Sequence, residues 1–116
     1  MYITFIMTVA LTLGQCLCLE HPWDPEPGAD PGFWPLHEKL INQTLVHKND
    51  ERIVFIGDSI TEAWEWFGES VWYNYYTPRH AYNYGIAGDK TENVIYRIQD
   101  RELDGLTPNV TVLMIG

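Results

Sequence analysis

The residues best suited to covalent chemistry lie where an apolar run stops. Residues 52–57, Arg-Ile-Val-Phe-Ile-Gly, lead into Asp58 and Ser59, and a helical pattern follows. Such a run is the pattern of a strand buried on both faces. A serine at a strand-to-helix turn can point its hydroxyl out of the sheet, beside backbone N–H groups that the first helical turn leaves unpaired. That hydroxyl can attack a carbonyl carbon, and the unpaired N–H groups can hold the oxyanion that forms. Gly57 permits the tight turn. A plainer role fits the same residues. Ser59 and Glu62 have the spacing of a capping box, and Gly-Asp-Ser alone reads more readily as a cap than as a nucleophile. Asp89 and Glu92 form a second pair of the same kind.

Three strands and three helices are expected around these residues. Leu36, Leu40, Ile41, Leu45 and Val46 fall near helical spacing, which predicts an amphipathic helix over residues 35–48 with Pro35 in its first turn. Residues 61–69 suit a short helix. Residues 81–85 form a second, weaker strand. Residues 92–103 form a helix with Val94, Ile95, Ile98 and Leu103 on its apolar face. Residues 110–116 read as a third buried strand, announced by Thr107-Pro108. Strands alternating with helices imply a parallel sheet with helices on both faces, and such sheets place their sites beyond the carboxyl ends of the strands. Ser59 and the Gly85-Ile86-Ala87-Gly88-Asp89 loop both belong to that edge. Gly85 and Gly88 lack the third glycine of a dinucleotide fingerprint, and neither loop has the Gly-x-Ser-x-Gly pattern.

The 116 residues have room for one domain, and 46% hydrophobic with 20% charged residues is an ordinary globular balance. A net charge of −9, from 16 acidic against 7 basic residues, argues against nucleic acid and anionic membrane surfaces as partners. Residues 1–18 carry no charged side chain, and the apolar run 3–13 has the length of a signal-peptide core. A cleaved signal over 1–18, a Pro/Gly-rich extended lead-in over 19–34 and a domain over 35–116 are expected. Membrane association is not expected once the signal is removed. Both cysteines, Cys16 and Cys18, lie in the signal, leaving no disulfide framework and no cysteine-based metal site. Asn42-Gln43-Thr44 is a glycosylation sequon, in keeping with a secreted protein. The aromatic cluster from Trp64 to Tyr76 suits core packing at least as well as sugar stacking.

Two stretches carry a family resemblance. Residues 54–64, Val-Phe-Ile-Gly-Asp-Ser-Ile-Thr-Glu-Ala-Trp, resemble the first block of SGNH/GDSL-type esterases. Residues 83–91, Asn-Tyr-Gly-Ile-Ala-Gly-Asp-Lys-Thr, resemble the second. Tyr96-Arg97-Ile98-Gln99, Gly105 and the run 110–116 continue the likeness, and Leu36-His37-Glu38 fits it too. Within the family the likeness is to the platelet-activating-factor acetylhydrolase IB catalytic-subunit group, over residues 34–116. It implies a three-layer α/β/α, flavodoxin-like fold, truncated here after the third strand. It also implies serine ester hydrolysis without metal or cofactor, on a small-molecule ester such as an acetylated lipid or sugar. Ser59 would be the nucleophile and one oxyanion N–H, Gly88 a second oxyanion N–H, and Asp58 a support for the turn. Ala63 and Ala87 stand where relatives often have glycine, and a positive φ at Ala87 would cost about 1 kcal/mol.

The family's third block, Gly-Thr-Asn-Asn, supplies another oxyanion donor, and its base lies in a later Asp-x-x-His segment. The chain reaches only the first Gly, Gly116, and none of its four histidines has that spacing. His21, His37, His47 and His80 are expected to be surface or structural residues. The expectation is therefore the N-terminal portion of a hydrolase, with little activity by itself. A non-catalytic binding or vestigial module of the same fold is the alternative, and a phosphate-binding flavodoxin-like domain is a weaker one. Oligomeric state is not legible.

Overall fold

A computed structural model describes residues 21–116. The expected signal segment and the start of the lead-in lie outside the described residues. Helix α1, Phe33–His47, turns Phe33, His37, Leu40, Ile41 and Thr44 inward at helical spacing. It begins two residues before the expected start, because Phe33 is itself a core residue, 2% exposed. The predicted apolar face is correct in Leu40 and Ile41 but not at its end. Leu45 and Val46 are exposed, and His37 and Thr44 hold the inward positions instead.

Strands β1, Ile53–Gly57, β2, Ala81–Gly85, and β3, Val110–Met114, form a three-stranded parallel sheet in the order β2-β1-β3. Gly57 aligns with Gly85 and with Met114, so all three strands end at one edge. Between β1 and β2 the chain forms α2, Ser59–Glu62, a 3₁₀ turn, Ala63–Glu65, and α3, Glu69–Val71. A wide turn, Trp72–Tyr76, and a second 3₁₀ turn, Thr77–Arg79, complete the crossover. The expected helix over 61–69 is thus shorter and starts earlier, at Ser59.

Side-chain alternation along β1 divides the core in two. Val54 and Ile56 point to one face, where Phe33, Leu40, Tyr84, Ile86 and Val94 join them. Phe55 points to the other, against Trp72 and Ala81, with Trp64 and Tyr76 packed alongside. Helical segments cover both faces of a parallel sheet, the three-layer arrangement expected.

Two expectations need correction. Helix α4, Thr91–Gln99, ends four residues early. Arg101 adopts a positive φ of 68°, and Asp100 and Glu102 turn their carboxylates onto His37, which ends the helical repeat. Its inward face is Asn93, Val94 and Arg97, with Ile98 exposed. Strand β3 is not buried. It is an edge strand, and Val110, Val112, Leu113 and Met114 are all at least 39% exposed. Among the described residues no helix covers its outer half.

Candidate functional site

Ser59 is exposed and opens α2 directly after β1. The cap of α2 is Asp58, whose carboxylate Oδ1 accepts from the Ile60 N–H at 2.9 Å. Asp58 thus caps α2 through its side chain. The capping-box reading of Ser59 and Glu62 is not what forms. Ser59 is the first helical residue, and among the described residues its hydroxyl has no hydrogen-bond partner. Glu62 instead reaches the neighbouring loop, where Oε2 accepts from the Ala87 N–H at 2.9 Å. The second expected box fails likewise. Lys90 occupies the cap position of α4, with its N–H donating to Asn93 Oδ1 at 2.8 Å, and Asp89 is buried against Arg97.

Three bonds tie β2 and the loop that follows it to the end of β1 and to α2. Gly57 O accepts from the Ile86 N–H at 3.1 Å. Glu62 holds Ala87. Asn83 Nδ2 donates to Thr61 O at 2.8 Å. Gly85 lies so close to α2 that an added Cβ would strike the Glu62 backbone nitrogen. Gly88 crowns this loop, exposed, with φ of 83° and open space around its Cα. That positive φ sits at Gly88 and not at Ala87, so the alanine carries no strain. Among the described residues neither the Ser59 nor the Gly88 N–H is engaged by a backbone acceptor. One edge of the sheet therefore presents, among the described residues, an unengaged hydroxyl and unengaged backbone donors at the start of α2 and on the loop bonded to it.

An open cavity of about 590 Å³ adjoins this edge, lined by Ser59, Ile60, Ala63, Trp64, Phe67 and Gly68. Its wall is chiefly hydrocarbon, suited to an apolar group beside the serine. The aromatic cluster splits. Trp64, Trp72 and Tyr76 pack around Phe55, while Trp66, Phe67, Tyr73 and Tyr75 are exposed.

The histidines lie elsewhere. His37 is fully buried between Glu102 and Asp100. His80 precedes β2 and pairs with Asp50 at 2.9 Å, at the opposite end of the sheet from Ser59. His47 packs on Tyr82 and His21 stacks on Trp23. Among the described residues no group of three or more His, Cys, Asp or Glu side chains is arranged to hold a metal ion. None of the described helices is long and apolar enough to cross a membrane. The sequon residue Asn42 is exposed on α1, whereas the Thr44 hydroxyl is buried against Tyr84 and the Glu102 carbonyl.

Sequence reasoning missed the ionic chain beneath the site. Arg97 and Glu102 are fully buried, and Arg97 pairs with both Glu102 and Asp89. The only hint was a buried helical face with charged residues at Arg97 and, just beyond it, Glu102.

No family model matches the chain. It is 31% identical over 86 residues to the platelet-activating factor acetylhydrolase IB subunit alpha1 of Rattus norvegicus, covering 73% of this chain and 35% of that protein. The subunit beta homolog of Drosophila melanogaster is 30% identical over 92 residues, 79% of this chain and 39% of the fly protein. The rat alpha2 subunit is 34% identical over 64 residues, 55% of this chain and 27% of that subunit. This chain is a partial homologue of the platelet-activating factor acetylhydrolase IB subunits. These are SGNH-type proteins, so the resemblance read from the two blocks holds and the relationship is to a hydrolase family. The chain spans well under half the length of the acetylhydrolase IB subunits it matches.

Proposed function

We propose that the site performs serine ester hydrolysis, with Ser59 attacking the ester carbonyl and carrying the acyl group. The Ser59 and Gly88 N–H groups hold the oxyanion, and Asp58 fixes the turn. The observation that carries this reading is that capping falls to Asp58, which leaves the Ser59 hydroxyl unengaged and exposed. The proposed substrate is an acetyl ester on a lipid or a sugar; the names of the acetylhydrolase IB relatives support the acetyl group, and the hydrocarbon-lined cavity at Ser59 suits an apolar substituent.

The attack also needs a base. General-base help is worth roughly 10²–10⁴ in rate, and every described histidine is engaged away from Ser59. The 116-residue chain by itself therefore turns over esters slowly. The test is hydrolysis of p-nitrophenyl acetate beside Ser59→Ala, together with fluorophosphonate labelling. In a form extended past Gly116 by an Asn donor and an Asp-x-x-His segment, activity and labelling appear and vanish with Ser59→Ala. An extended form that stays unlabelled at Ser59 sinks the reading.

The placement of the histidines favours one second reading, a non-catalytic binding module of the same fold. It predicts no labelling in any form. Secretion is also part of the proposal, supported by the apolar run 3–13 and the exposed Asn42.

A further inference from the structure

One buried guanidinium touches both halves of the candidate site. Arg97 is fully buried on α4. Its Nη2 donates to Gly57 O at 3.3 Å, two residues before Ser59. Its Nε donates to Asp89 Oδ2 at 2.7 Å, in the residue directly after Gly88. Its Nη1 donates to Tyr84 O at 3.1 Å, near the end of β2, and also to Glu102. Beyond Glu102 the chain of charges continues through His37 to Asp100, away from the site.

We propose that Arg97 is a positioning residue for the Ser59 reaction, fixing the Ser59 and Gly88 N–H groups relative to each other through the Gly57 carbonyl and the Asp89 carboxylate. This rests on the esterase reading above. Oxyanion donors act only when they are already in place, and loss of one costs about 10²–10³ in rate. Ser59 opens α2 and Gly88 lies on the loop between β2 and α4, so something rigid must set their separation. A guanidinium is suited to this because its donors form a planar fork that bonds several acceptors at fixed angles. A lysine ammonium would keep the charge and lose that geometry. A role confined to filling the interior would show only as global destabilisation, whereas positioning shows locally at two amides.

The experiment compares Asp89→Asn and Arg97→Lys with His37→Gln, which breaks the same ionic chain at the end far from Ser59. Each full 116-residue variant is melted, and hydrogen exchange is read at the Ser59 and Gly88 amides relative to the β1 amides. Adduct formation with phenylboronic acid is followed by ¹¹B NMR, since the tetrahedral boronate on Ser59 places an oxygen where the oxyanion would lie. Asp89→Asn is expected to fold, to speed exchange at Gly88 and to weaken the adduct ~10-fold or more. Arg97→Lys is expected to do this at both amides. His37→Gln lowers the melting temperature with neither local effect. Wild-type exchange and adduct strength in folded Asp89→Asn overturn the proposal, even if Arg97→Lys does not fold. An adduct that survives Ser59→Ala, or its absence from a form extended past Gly116 by an Asn donor and an Asp-x-x-His segment, sinks the esterase reading instead. The two amides then still decide whether Arg97 positions them.

Discussion

The Glu62 carboxylate accepts from the Ala87 N–H at 2.9 Å, so the helix that opens with Ser59 is bonded directly to the loop that carries Gly88. Glu62→Ala deletes this tie. A hydrogen bond to a charged group contributes about 1.5–3 kcal/mol, and this one is partly exposed, so the lower end is expected. Urea unfolding measures the loss, and amide exchange at Ala87 quickens more than at β1.

Capping and catalysis separate cleanly by substitution. Asp58→Ala removes the acceptor for the Ile60 N–H and is expected to cost ~1 kcal/mol. Ser59→Ala removes a hydroxyl that has no partner among the described residues and is expected to change stability by less than about 0.5 kcal/mol. Equal losses in urea unfolding would return Ser59 to a capping role.

Two glycines of the second loop are expected to fail for different reasons. Gly85→Ala drives a methyl into the α2 backbone at Glu62 and Thr61, an overpacking that costs about 1–3 kcal/mol or more. Gly88→Ala meets open space and loses only ~1 kcal/mol to its positive φ. Thermal melts of the two variants give the order.

Stability is expected to fall as pH rises through about 6 and again as it passes above 6.5. Burial disfavours the charge on His37, but the hydrogen bonds its ring donates to Glu102 and Asp100 outweigh it and raise its pKa above 6.5. Burial pushes Asp89 up to about 6, against the pull of Arg97. Both groups bind their proton more tightly in the folded chain. The stability they supply is complete below their unfolded pKa values and lost as pH rises through the folded ones, near 6 for Asp89 and above 6.5 for His37. Melting temperatures at fixed ionic strength follow the slope. His37→Gln flattens its upper part, and a profile rising across this range would contradict the assignment.

Among the described residues strand β3 has an edge with no neighbouring strand and apolar side chains on both faces, with Val112 and Leu113 pointing oppositely. Val112→Lys and Leu113→Lys are expected to raise the concentration at which the chain stays monomeric, at little cost in melting temperature. Light scattering against concentration is the measurement.

Much of the frame was legible because single residues announced it. Gly57 closes an apolar run, and Leu40 and Ile41 mark the inner face of α1, whereas Phe33 reads as part of the lead-in before it. The parallel order followed from strands alternating with helices. Local spacing misled where tertiary partners outbid it. Ser59 and Glu62 have capping-box spacing, yet Asp58 lies one residue nearer and Glu62 finds a better donor at Ala87. Residues 92–103 have helical periodicity, yet Asp100 and Glu102 leave the helix to reach His37, 65 positions from Glu102. Strand β3 has the composition of an interior strand, and composition does not say whether a neighbour is present. That Ser59 and Gly88 share one edge of the sheet was readable from order along the chain. The guanidinium beneath them was not, because nothing in a single arginine records which distant carbonyls it will meet.

Asp89, Arg97, Glu102, His37 and Asp100 alternate in sign from the loop at Gly88 to the far side of α1. Altering one of the inner members strands an opposite charge in the interior, which is far more damaging than the net worth of any one pair. The five positions are thus expected to be inherited as a block. A lineage that abandons one of them would be expected to rewrite the others together, exchanging the whole ladder for hydrocarbon rather than losing it rung by rung.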